Sequence, residues 1–101
     1  MKYLQQGDTL YFPIDELPKN LIKIDTNTVQ TGESTGHAHR LHGDGFTIFE
    51  TKNNEKYLRV VKPTLLKHEE HKEITIPPGT YRVGIVREFD HFKEEARQVA
   101  D

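Results

Sequence analysis

Histidine is the residue type in this sequence whose spacing could support chemistry. Five of the six histidines stand in two short patches, at His37, His39, His42, His68 and His71. Neutral imidazole is the commonest protein ligand for zinc, copper, nickel and iron, and carboxylates complete such sites. The two patches therefore predict a metal site, on the condition that the fold brings them together.

Strand geometry decides which of these imidazoles can act together. Side chains alternate between the two faces of a strand, so a strand over 37–42 points His37 and His39 to one side and His42 to the other. A third ligand must then come from the second patch, where His68 and Glu70 share a face and His71 joins them only after a turn. The predicted cofactor is a divalent ion, either zinc, nickel, iron or manganese, and its predicted ligands are His37, His39, His68, Glu70 and His71.

Two other functions fit the same residues. One is a non-enzymatic structural or interaction module whose histidines line an interface between subunits. The other is a phosphoesterase with two histidines as general acid and base, or a binder of nucleotides or RNA. Arg40 is then the candidate contact to substrate or phosphate, although an ordinary exposed strand residue is its simpler interpretation. The chain has no nucleophile elbow, Walker loop or dinucleotide fingerprint, so the sequence leaves open whether the protein is an enzyme.

Charge and composition argue against several classes of protein. Charged residues make up 30% of the chain but the net charge is only -2, which argues against nucleic-acid binding through bulk charge. Cysteine is absent, which excludes disulfides and thiolate zinc sites. No stretch resembles a signal peptide or approaches the ~18 apolar residues of a membrane span. We therefore expect a cytoplasmic protein without a membrane partner, and a small-molecule ligand is compatible with this composition.

Short β-prone runs separated by turn residues predict an all-β fold. The strongest local pattern is a hairpin that pairs residues 46–50 with residues 57–61. Pro13 limits its own run to a sheet edge or a strand end, and Gly84 is a candidate site for a β-bulge. A count of about seven short strands favours a small β-barrel or β-sandwich. The predicted core consists of Phe46, Ile48, Leu58, Val60, Tyr81, Val83 and Ile85.

The length of 101 residues predicts a single domain over residues 1–101. Residues 90–101 carry helix-forming side chains, with Asp90 as a candidate N-cap, and predict a weak C-terminal helix. Apolar residues make up only 34% of the chain, so the core should be thin. We therefore expect a homo-oligomer, because small domains with thin cores often gain stability from association.

A glycine, a His-x-His strand and a later Pro-x-Gly turn are together similar to the cupin pattern. The matching pieces are Gly32, residues 37–39 and residues 77–81. This resemblance implies a small β-barrel with a metal ion bound by the two histidines. Residues 43–44 are Gly-Asp where cupins have a glutamate ligand, and residues 80–81 are Thr-Tyr where cupins have a histidine. Two of the four usual ligand positions are therefore unmatched.

A second resemblance covers most of the chain from about Gly32 onward. Its motifs are GHAH at 36–39, HEEH at 68–71, IPPGTY at 76–81 and REFD at 87–90. These segments look like those of a small, uncharacterised family of bacterial and phage proteins. The resemblance implies that the two histidine patches belong to one unit, and it supplies no activity.

Overall fold

The computed structural model describes residues 2–31 and 36–86, which form ten strands. The predicted helix over 90–101 lies outside the described residues, and those residues include no helix long and apolar enough to cross a membrane. The strands are β1 (Leu4–Gln6), β2 (Thr9–Pro13), β3 (Ile22–Ile24), β4 (Thr28–Thr31), β5 (Ala38–His42), β6 (Phe46–Glu50), β7 (Lys56–Val60), β8 (Thr64–Lys67), β9 (Ile74–Ile76) and β10 (Gly79–Ile85).

The strands form two antiparallel sheets. The first has the order β1-β2-β10-β7-β6-β3 and the second has the order β4-β5-β8-β9. No barrel closes among the described strands, so the all-β prediction is confirmed as a sandwich-like fold. The strand count exceeds the predicted one because β1 pairs with β2 and because β3 and β4 are separate strands. The chain leaves the first sheet after β3 and enters the second at β4.

The predicted hairpin is confirmed as β6 and β7. The two strands pair in continuous register from Phe46 opposite Val60 to Glu50 opposite Lys56. The hydroxyl of Thr51 accepts hydrogen bonds from backbone amides within the connecting loop. Cross-strand pairs of aromatic and β-branched side chains stabilise such a hairpin, which is why its signal is readable in a single sequence.

The predictions at Pro13 and Gly84 have different outcomes. Pro13 is the last residue of β2, so the strand-end prediction is confirmed. The β-bulge predicted beside Gly84 is absent, because β10 keeps an uninterrupted register with β2 through that position. The register shift instead lies in β4, between Thr28 and Gln30.

One apolar cluster fills the space between the sheets. Phe46 packs against this cluster as a partly buried residue, and Ile85 is half-buried. Each fully buried leucine or isoleucine contributes roughly 1.5–3 kcal/mol to the free energy of unfolding. The buried members from the first sheet are Tyr11, Ile48, Leu58, Val60, Tyr81 and Val83, and those from the second are Val29, Leu41, Leu66 and Ile76.

Candidate metal centre

The two histidine patches meet at one end of the second sheet. β5 and β8 are antiparallel neighbours, with Arg40 opposite Lys67. The residues just before Arg40 therefore lie beside those that follow Lys67. The ring of His68 lies 4.4 Å from that of His39 and 5.7 Å from that of His37, measured between centroids. The condition on which the predicted site depended is met.

A turn brings the last histidine of the second patch into the same cluster. β8 ends at Lys67 and β9 begins at Ile74, and the chain bends between them. The ring of His71 lies 4.5 Å from that of His68 and stacks against that of His39 at 6.1 Å, with an interplanar angle of 7°. In a continuous strand, side-chain alternation would point His71 away from His68. The bend interrupts that alternation and turns His71 towards His68.

The tight turn between β1 and β2 forms a third wall of the cluster. Gly7 and Asp8 are its two residues, and Oδ1 of Asp8 lies 3.5 Å from Nε2 of His39. Gly7 has a positive φ of 59°, and a Cβ at this position would lie 2.5 Å from Nε2 of His71. A Gly-Asp pair signals a turn in the sequence. No sequence signal connects that turn with the histidines, so this part of the site was missed.

The two glutamates of the second patch make different contacts. Oε1 of Glu70 lies 3.4 Å from Nδ1 of His37. Glu69 accepts hydrogen bonds from the backbone amide of Ala38 at 3.0 Å and from the guanidinium of Arg40 at 2.9 Å. The Ala38 amide, the backbone amide of Glu69 itself and Arg40 lower the pKa of Glu69 to about 2. Glu69 is therefore a carboxylate that fixes the start of β5. Sequence reasoning missed this role because Glu69 and Glu70 are chemically identical and nothing in the sequence distinguishes them.

The ligand atoms that already have metal-site spacing belong to His37, His68 and Glu69, and all lie within 4.8 Å of one another. Three hydrogen bonds compete with coordination here. Both oxygens of Glu69 already accept hydrogen bonds, and Nδ1 of His68 accepts one from the backbone amide of Glu70 at 3.1 Å. Glu70 and His71 are exposed and can turn towards an ion without leaving a packed core. We therefore rank Glu70 above Glu69 as a ligand.

Hydrogen bonding determines which ring nitrogen of His39 is available. His39 is only 3% exposed, and its Nδ1 lies 2.8 Å from Oε1 of Gln6. The amide nitrogen of Gln6 donates to the carbonyls of Leu66 and Lys72. The oxygen end of Gln6 must therefore face His39, and Nδ1 of His39 must donate the proton. Nε2 of His39 keeps its lone pair, which is the state of a metal ligand or a general base.

Burial favours the neutral form of this histidine. Desolvation is the largest effect that lowers the pKa of His39, and the nearby rings of His68 and His71 lower it further. The carboxylate of Asp8 acts in the opposite direction. The pKa of His39 therefore lies below its ordinary value, and its Nε2 needs no deprotonation before binding a cation at neutral pH.

Two residues singled out in the sequence lie outside the pocket. His42 is exposed at the far end of β5, as strand parity predicted. Arg40 is paired with Glu69 and does not line the pocket, so its role as a phosphate contact stays a prediction. The pocket has a volume of about 480 Å³ and is lined by Gly7, Asp8, Gln30, Thr31, His37, His39, His68, Glu70, His71 and Val86.

A family model described as "Domain of unknown function (DUF8820)" matches residues 5–86. The match includes both histidine patches and the turn between β1 and β2. The chain belongs to the DUF8820 family. The resemblance to an uncharacterised family is confirmed at that level, without a link to cupins or to phage proteins. Comparison with curated proteins and with solved structures found no match.

Proposed function

We propose that the histidine pocket binds a divalent transition-metal ion. The observation that carries this proposal is the convergence of four imidazoles, from segments about thirty residues apart, on one pocket wall. A cluster of this kind is unusual for surface histidines, which repel one another once protonated.

The donor set favours borderline metals. Imidazole nitrogens and carboxylate oxygens surround the pocket, and the chain has no cysteine. Calcium and magnesium prefer oxygen ligands, whereas zinc, nickel and iron accept imidazole readily and manganese accepts it with carboxylates. His37, His39, His68 and His71 are the nitrogen ligands of the proposal, with Glu70 as the carboxylate.

Coordination by His68 requires a local rearrangement. Nδ1 of His68 accepts the backbone N–H of Glu70, so Nε2 carries the proton of the neutral ring. A metal ion held by Nε2 would require that proton on Nδ1 instead, where it would repel the backbone amide of Glu70. We expect zinc to shift the amide resonance of Glu70 in NMR spectra, with the resonances of β6 and β7 unaffected.

Metal binding is tested directly on protein prepared without a histidine tag. We expect elemental analysis after equilibrium dialysis to find a stoichiometric amount of zinc, nickel, iron or manganese. His39→Asn keeps a donor for Gln6 and removes the Nε2 lone pair, so zinc affinity should fall by at least ~10-fold, the lower range for disturbed metal shells.

The matched control is His42→Asn, because His42 lies on the same strand and outside the pocket. Its zinc affinity should equal that of the wild type. Failure of the wild-type protein to retain any of the four ions would overturn the proposal, as would equal loss of affinity in the two variants.

Acid–base catalysis is a second candidate, favoured by the opposite proton positions on two neighbouring rings. Nε2 of His39 is unprotonated and can accept a proton, whereas Nε2 of His68 carries one and can donate it. Cleavage of a phosphodiester in the presence of a chelator, abolished by His39→Asn, would support this candidate over metal binding. Absence of turnover on any phosphodiester tested would count against it.

A further inference from the structure

Gln6 is a buried polar side chain whose hydrogen bonds join three parts of the pocket. It is the last residue of β1 and is only 2% exposed. Its Nε2 lies 2.9 Å from the carbonyl oxygen of Leu66 and 3.0 Å from that of Lys72, and its Oε1 lies 2.8 Å from Nδ1 of His39. Both amide hydrogens and the amide oxygen are therefore used.

The orientation of this amide follows from its partners. Backbone carbonyls can only accept hydrogen bonds, so the nitrogen end of Gln6 must face Leu66 and Lys72. A flipped amide would place its oxygen against two carbonyl oxygens and its nitrogen against His39, and both hydrogen bonds to the carbonyls would be lost. Gln6 thus presents a fixed acceptor to His39.

A fixed acceptor selects one tautomer of His39. With Oε1 of Gln6 at Nδ1, the neutral ring carries its proton there and keeps a lone pair on Nε2. Without that acceptor, Asp8 is the remaining partner, at 3.5 Å from Nε2. The proton would then favour Nε2, and the nitrogen that faces the pocket could no longer act as a ligand. Outer hydrogen-bond partners commonly fix metal-binding histidines in this way.

The same side chain also fixes the loop that carries the second patch. Leu66 lies in β8, and Lys72 follows His71 at the other end of the loop. One amide nitrogen that donates to both carbonyls holds the two ends of the loop at a set separation. The rings of His68 and His71 are thereby held beside the ring of His39.

We propose that Gln6 is the positioning residue of this pocket, setting the tautomer of His39 and the span of the loop that carries His68 and His71. The inference rests on the proposed metal-binding function for its effect on affinity, and on hydrogen bonding alone for its effect on the tautomer. These two consequences can be measured separately.

The test compares Gln6→Met with Gln5→Met. Methionine has nearly the length of glutamine and lacks its amide. Gln5 lies on the same strand with its side chain exposed, and its amide donates to the carbonyl of Gly7, so Gln5→Met controls for loss of an amide hydrogen bond at the turn between β1 and β2. Long-range ¹H–¹⁵N NMR of metal-free protein reports the tautomer of His39, and titration calorimetry reports zinc affinity. We expect wild type and Gln5→Met to carry the His39 proton on Nδ1, and Gln6→Met to carry it on Nε2 with affinity lower by ~10–100-fold.

The two measurements separate the inference from the proposed function. If the wild type binds none of the four ions, but the His39 proton moves from Nδ1 in the wild type to Nε2 in Gln6→Met, the metal function fails and the positioning role stands. A wild-type His39 protonated on Nε2 overturns the inference even if zinc binds. So does a Gln6→Met protein that binds zinc with wild-type affinity.

A second variant applies if Gln6→Met does not fold. Gln6→Glu keeps an acceptor for His39 and loses both donors to the loop. We expect the His39 proton to stay on Nδ1, with shifted amide resonances across residues 66–72. Unchanged loop resonances in this variant would overturn the part of the inference that concerns the loop.

Discussion

At the scale of single residues, His39 combines the three properties that a histidine needs to bind a metal ion. It is buried, it is neutral because burial and the neighbouring imidazoles lower its pKa, and one ring nitrogen is committed to Gln6. The other nitrogen faces the pocket beside Asp8. His42, three positions along the same strand, has none of these properties because it is exposed on the other side.

The lowered pKa of His39 predicts how stability depends on pH. In the unfolded chain this group titrates near its ordinary value of 6.5, and in the folded protein it titrates lower. Between these two values the unfolded state binds more protons, so the free energy of unfolding falls as pH falls through this window. Urea denaturation between about pH 8 and pH 5 should show the decrease, and His39→Asn should flatten it.

Three titratable groups face His39 and influence the pH dependence of stability through it. His68 and His71 favour its neutral form, and the Asp8 carboxylate favours its charged form. Asp8→Asn should therefore steepen the loss of stability on acidification. A His39→Asn protein with the full wild-type pH dependence would show that another group is responsible.

At the scale of elements, the site needs three connections: the start of β5, the turn after β8 and the turn between β1 and β2. The first two are held by the pairing of β5 with β8 and by Glu69, which links Ala38 and Arg40. The third comes from the other sheet and closes against His71. A two-residue turn is suited to this contact because glycine lets the backbone approach an imidazole closely.

Gly7→Ala is expected to disturb the site through this contact. Its Cβ would overlap the ring of His71, and alanine in a left-handed conformation costs about 1–2 kcal/mol. We expect a lower melting temperature together with weaker zinc binding, because His71 must move out of the cluster. Thermal denaturation and calorimetry measure the two effects.

Gly43→Ala provides the comparison for backbone strain alone. Gly43 also has a positive φ, at 111°, but a Cβ there would meet nothing within 4 Å. This variant should lose stability and keep its zinc affinity. Equal zinc affinities for Gly7→Ala and wild type would show that the turn between β1 and β2 does not position His71.

At the scale of the whole molecule, the core between the sheets holds strands β1 and β2 and both histidine patches in one arrangement. Two buried tyrosines in that core differ in their hydroxyl contacts. The hydroxyl of Tyr81 donates to the carbonyl of Pro77 at 2.7 Å. The hydroxyl of Tyr11 has no hydrogen-bond partner among the described residues, and burial raises its pKa.

This difference predicts opposite effects of the same substitution. Tyr11→Phe removes an unpaired buried hydroxyl, so the free energy of unfolding should stay unchanged or rise by up to about 1 kcal/mol. Tyr81→Phe removes a made hydrogen bond, so the free energy of unfolding should fall by about 1 kcal/mol. Urea denaturation of both variants compares them, and a larger loss in Tyr11→Phe would contradict the predicted order.

Homo-oligomerisation stays a prediction at this scale. It was expected from the small apolar fraction, and Ile22 and Val61 are large apolar side chains exposed on the described surface. Light scattering on the purified protein measures the molecular mass in solution. A monomeric mass across the micromolar range would contradict the expectation.

Local patterns in the sequence determined the all-β class, the hairpin of β6 and β7, and the side-chain alternation along β5. They also identified half of the buried core cluster, namely Ile48, Leu58, Val60, Tyr81 and Val83. These features follow from side-chain alternation and turn chemistry over a few neighbouring residues. The same reasoning placed the bulge at Gly84 incorrectly, because the register of β10 depends on its partner strand. A glycine within a strand is a weak signal for that reason.

Only the tertiary structure decided that the two histidine patches meet, and that Gln6, Asp8 and Glu69 join them. Convergence depends on β5 and β8 becoming neighbours and on a bend that redirects His71. The roles of Gln6 and Asp8 depend on the end of the first sheet lying against the second. Such contacts join residues about thirty to sixty positions apart, and the periodicity of a single segment carries no information about them.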